Sequence, residues 1–111
     1  LPKKVLARVA RDAKSRSDIS IESEVATMVY VRQLCGATVP VPTVYGYCPT
    51  RHNVIGQPFC IVSFAEGVDM RGVPWEDLAL ETKLIAVRDF ANIVNQLSRL
   101  NFKAIGSIHF K

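Results

Sequence analysis

Two residues of this chain have the types and setting for chemistry. Arg8 sits in the run Val5 to Ala10, which is short and β-branched and reads as a strand. Glu24 sits in the opening turns of a helical run that starts near Ser20. A guanidinium offers a planar fork of donors that can bind a phosphate bidentately. A carboxylate held beside it would fix the fork in one orientation. Glu24 shares its helix face with Met28 and Val31, and a glutamate is rarely buried without a partner. One reading is therefore a cation positioned to take an anion. The other leaves Arg8 and Glu24 as separate, solvated residues.

The elements that must position the pair are legible from punctuation and periodicity. Arg11 to Asp18 is polar and reads as a loop. Asp18 or Ser20 is the candidate N-cap of the helix, and Glu22 and Glu24 lie where its dipole favours carboxylates. Ile21, Val25, Met28, Val29 and Leu34 fall at helical spacing. Gly36 is a suitable C′ residue to end the run. Pro40 and Pro42 force an extended link. A strand from Thr43 to Cys48, a polar turn from Pro49 to Gly56 and a return strand from Phe59 to Ser63 make a β-hairpin.

Beyond the hairpin, Trp75 to Leu78 reads as a short helical turn and Glu81 to Leu100 as a long helix. Leu80, Leu84, Val87, Ala91 and Val94 form one stripe of that helix, and Ile93, Leu97 and Leu100 widen it. So broad an apolar face needs cover on more than one side. The expected class is α+β.

The chain has 111 residues, 49% of them hydrophobic, which suits a globular core and argues against disorder. No apolar run approaches the roughly 18 residues of a membrane span. The formal net charge is +4, and basic residues cluster early at Lys3, Lys4, Arg8, Arg11, Lys14 and Arg16. That cluster reads as a solvated face or as attraction for a nucleotide or other anion. Nucleic acid is the weakest partner class, because neither aromatic interleaving nor a zinc pattern accompanies the charge. Cys35, Cys48 and Cys60 are odd in number and match no metal spacing, so reduced thiols in small apolar sites are expected. His52 lies in the polar turn, and His109 reads as a strand residue after the long helix.

Residues 39–47, Val-Pro-Val-Pro-Thr-Val-Tyr-Gly-Tyr, are followed by residues 56–67, Gly-Gln-Pro-Phe-Cys-Ile-Val-Ser-Phe-Ala-Glu-Gly. With the preceding helix, this segment resembles the nucleotide-binding lobe of the aminoglycoside phosphotransferase family, a branch of the protein-kinase-like fold. Residues 102–110, Phe-Lys-Ala-Ile-Gly-Ser-Ile-His-Phe, resemble a stretch of its fungal-type members. The resemblance spans about Val5 to Phe110, and the order and spacing of its parts are more specific than any one part.

The resemblance implies a partial nucleotide-binding N-lobe over 1–63, a hinge over 64–74 and the start of a C-terminal lobe over 75–111. The lobe would comprise antiparallel strands plus the αC-type helix. It implies ATP as cofactor, with Mg²⁺ on the phosphates. Arg8 takes the place of the family's strand cation, usually Lys, and Glu24 that of the helix carboxylate that orients it. Ser63 C=O and Ala65 N–H would hold adenine, with Val62 at the back of its pocket. Only Leu1 to Lys4 precede Val5, and no H-G-D-x-x-x-x-N loop follows the long helix. The glycine-rich loop, catalytic base and metal ligands are thus expected outside this sequence, and no catalytic residue is assigned within it.

The expected function is that of a phosphotransferase fragment acting with ATP on an unidentified small hydroxylated acceptor. Neither nucleic acid nor membrane is an expected partner. A non-catalytic, pseudokinase-like binding module and a small basic interaction domain are the competing readings. The absence of a secretory signal points to the cytoplasm, with a mitochondrial address as the alternative.

Overall fold

The computed structural model describes residues 4–11 and 18–110. Its elements are β1 (Val5–Val9), α1 (Asp18–Cys35), β2 (Val44–Cys48), β3 (Phe59–Ser63) and α2 (Leu80–Ser98). Single 3-10 turns occur at Gly36–Thr38, Met70–Gly72 and Trp75–Asp77. The three strands form one antiparallel sheet in the order β1-β3-β2. This is an α+β arrangement.

The core lies where α1 crosses β3. Ile21, Val25, Cys60 and Val62 are its buried centre, with Met28, Val29 and Val44 packed against them. Cross-strand partners share a sheet face. Arg8 pairs with Cys60 and Leu6 with Val62, so alternation along β1 puts Arg8 on the α1 side. Tyr47 pairs with Cys60 from the other edge. Tyr47, Cys60 and Arg8 thus make one row across the sheet, with α1 above its middle.

Several local expectations change. Asp18 and Ser20 both lie within α1, so neither is its N-cap; the cap falls outside the described residues. Leu34 is more than half exposed, and the apolar face turns instead through Val31, which is buried. Gly36 adopts φ 58° directly after the helix, a left-handed conformation that an L side chain rarely adopts. His109 lies in irregular chain and belongs to no strand among the described residues. Tyr47 is opposite Cys60 in the sheet register.

The hairpin turn is organised by Asn53. Its Nδ2 donates to Thr50 O at 2.9 Å and Gln57 O at 2.8 Å. Its Oδ1 accepts from Ile55 N and Gly56 N, both at 2.9 Å. The amide thus stands in for backbone bonds that a turn of this length cannot make itself. Asn53→Ala is expected to lower unfolding free energy by about 2 kcal/mol, at roughly 0.5–1.5 kcal/mol per bond with partial replacement by water. A shift in the urea midpoint with unchanged slope would show it.

Candidate functional site

The ion pair occupies the edge of the α1–sheet interface. Arg8 Nη1 lies 3.4 Å from Glu24 Oε2, with the two side chains 46% and 29% exposed. β1 delivers Arg8 because its even-numbered residues face α1. The helix delivers Glu24 because Ile21 and Val25, three residues before it and one after, are locked into the core. Separate solvated residues would lie well beyond 6 Å; these are in contact.

An open cleft of about 550 Å³ surrounds the pair, lined by Arg8, Ser20, Ser23, Glu24, Thr27, Met28 and Ser107. Its character is one cation, one carboxylate and four hydroxyls, a donor set suited to phosphoryl oxygens. Thr27 Oγ1 donates back to Ser23 O at 2.7 Å. Ser20, Ser23, Glu24 and Thr27 follow i, i+3, i+4, i+7 spacing, so their common face was readable from sequence and was missed. Ser107 has no such signal; only the returning chain brings it there.

Val62, Ser63 and Ala65, the residues expected to hold adenine, lie at and just beyond the end of β3. Val62 is 2% exposed and packs in the core beneath α1. Ser63 N donates to Thr43 O at 2.8 Å, while Ser63 Oγ accepts from Thr43 N at 2.9 Å. Its amide and hydroxyl are thus engaged with the neighbouring strand. Ala65 is exposed, just beyond the last residue of β3.

The following linker is held locally. Asp69 accepts from Arg71 N at 2.8 Å and from Arg71 Nη2 at 2.7 Å. These bonds, the guanidinium's first, hold the Asp69 carboxyl below the ordinary aspartate range, and the carboxylate raises Arg71 in turn. Both side chains are well solvated, so the pair shapes the turn and adds little stability.

A family model described as "Phosphotransferase enzyme family" (APH) matches residues 3–110. The chain belongs to this family. Its curated relatives include fungal proteins. A "Subtelomeric hrmA-associated cluster protein" of Aspergillus fumigatus is 26% identical over 98% of this chain and 21% of its own length. An "Altered inheritance of mitochondria protein 9, mitochondrial" of Scheffersomyces stipitis is 27% identical over 97% of this chain and 18% of its own. The protein of that name from Komagataella phaffii is 29% identical over 89% of this chain and 17% of its own. The chain thus spans about a fifth of the length of these relatives. No solved structure matches it.

Among the described residues, no group of three or more His, Cys, Asp or Glu could hold a metal ion. No described helix is long and apolar enough to cross a membrane.

Proposed function

We propose that this APH-family chain is the nucleotide-side part of an ATP-dependent phosphotransferase that acts on a small hydroxylated molecule. The observation that carries the reading is the 3.4 Å Arg8–Glu24 contact inside a hydroxyl-lined cleft. Arg8 binds phosphate oxygens, and Glu24 orients Arg8. Ser63 C=O and Ala65 N–H hold adenine through backbone, with Val62 behind it. The site residues fit a polyphosphate. They do not fit Mg²⁺, for which no ligand set is present among the described residues, so no residue of this chain is assigned to the ion.

The domain reading is 1–63 for the nucleotide lobe, 64–74 for the hinge and 75–111 for the start of a second lobe. Its support is the state of α2, which has no buried residue. Leu84, Val87, Phe90 and Val94 are each about half exposed or more. A face of that width is stable in water only under cover, and a second lobe supplies it. The cytoplasm is the proposed compartment; the mitochondrial names of several relatives support the alternative.

The purified chain of 111 residues is expected to show no ATP turnover. The full-length protein is expected to bind ATP and to transfer its γ-phosphate to a member of a panel of hydroxylated small molecules. Turnover by the chain alone would contradict the assignment of base and metal ligands elsewhere. Arg8 at the strand-cation position favours one second reading, a binding module without catalysis, because Arg adjusts less readily than Lys around a moving phosphoryl group. That reading predicts ATP binding by the full-length protein with no transfer to any acceptor.

A further inference from the structure

We propose that residues 101–110 form a strap that fixes α1 against the sheet, with Phe102 and Phe110 as positioning residues for the Arg8–Glu24 pair. The strap is anchored at two aromatic contacts. Phe102 meets Tyr30 of α1 with ring centroids 5.6 Å apart and a tilt of 38°. Phe110 stacks on Tyr47 of β2 at 6.0 Å and 22°. Both separations fall in the range where ring pairs attract beyond simple burial. Between the anchors, Lys103 to Ser107 are exposed, and Ile105 is wholly so. The two rings, with half-buried Ile108 between them, carry the attachment.

The path of the strap gives it leverage on the pair. Tyr47, Cys60 and Arg8 form one row across the sheet. Phe110 holds the Tyr47 end of that row, and Ser107 lines the cleft at the Arg8 end. Phe102 holds α1 farther along, at Tyr30. The strap thus touches α1 at Tyr30 and the sheet at Tyr47, and its middle borders the cleft at Ser107. Ile21 and Val25 set the rotation of the first turns of α1, and the strap guards that setting against a small further rotation or slide. At 3.4 Å the ion pair is at contact distance, so either motion carries the Glu24 carboxylate away from Arg8.

The geometry of the strap stands by itself, and only its consequence for ATP rests on the functional reading above. The test is amide hydrogen exchange on the full-length protein, wild type against the Phe102→Ala, Phe110→Ala double variant. Amides of residues 21–28 are expected to exchange about tenfold faster in the variant, the scale of losing ring contacts of this kind. Amides of residues 59–63 in β3 should be unaffected. Phe102→Tyr with Phe110→Tyr keeps both rings and should restore protection. Unchanged exchange at 21–28 would overturn the proposal. Equal acceleration in β3 would also overturn it, since it would mean general destabilisation. A parallel titration separates the two ideas: loss of ATP affinity with adenosine affinity kept extends the strap's role to the phosphates. A wild-type protein that binds neither ligand refutes the nucleotide reading, while the exchange result still decides the strap.

Discussion

Arg8→Ala in the full-length protein is expected to weaken ATP binding by about 100-fold and to leave adenosine binding within a factor of about two. Charge-assisted hydrogen bonds are worth roughly 1.5–3 kcal/mol each, and a guanidinium makes up to two to one phosphate. Solvent access to Arg8, whose side chain is 46% exposed, keeps the loss below that of a dry site. The adenosine control matters because the base would be held by Ser63 and Ala65, at and just beyond the end of β3, and not by Arg8. Calorimetric titration with both ligands reads the difference directly. Arg8→Lys should fall between, since Lys keeps the charge and loses the fork. Glu24→Gln should cost less than Arg8→Ala, because Glu24 acts through Arg8 and meets no phosphate itself. Equal losses for ATP and adenosine would place the effect in folding and not in phosphate contact.

Ile21→Ala is expected to lower stability by about 3 kcal/mol, within the range for truncating a buried Ile. Ile21 is 1% exposed and sits, among the described residues, in a small cluster with buried Val25, Cys60 and Val62 and half-buried Met28, Val29 and Val44. A core so small has few neighbours able to collapse into the space. The effect should reach the site as well. Ile21 precedes Glu24 by less than one helical turn, so its packing sets the rotation of α1 and hence the aim of the carboxylate. Chemical denaturation should show a lower midpoint, and ATP affinity measured well below that midpoint should also fall. A stability loss with unchanged ATP affinity would mean that Val25 alone sets the helix rotation.

The parts of the fold that sequence foretold are those written in local chemistry. The presence of β1 and the bounds of β3 follow from β-branched runs, and the hairpin from proline and turn residues on either side of it. The end of α1 follows from Gly36, which needs a left-handed backbone. Leu34 was misjudged because periodicity gives a stripe but not how far the sheet extends beneath it. Among the described residues the sheet has three strands, and Val31 is buried while Leu34, one helical turn on, is exposed.

Arg8 stood out through the family resemblance, which places a cation on that strand, and Glu24 through both the resemblance and its position on the helix face of Met28 and Val31. The hydroxyls of Ser20, Ser23 and Thr27 carry the same helical spacing, yet hydroxyls on a helix are too ordinary to attract notice. Ser107 and the strap depend on contacts between residues far apart in sequence. No pattern within residues 102–110 indicates that the chain returns to Tyr30 and Tyr47. Asn53 escaped notice for another reason. Any asparagine in a turn can cap, but which carbonyls it meets depends on the shape of the whole loop.

The measurement that tests the central claim most directly is a structure of the full-length protein with a non-hydrolysable ATP analogue. The account predicts a phosphate oxygen within about 3.2 Å of the Arg8 guanidinium, with Glu24 still in contact with Arg8 and the adenine at the backbone of Ser63 and Ala65. A nucleotide bound elsewhere, with the Arg8–Glu24 cleft empty, would contradict it.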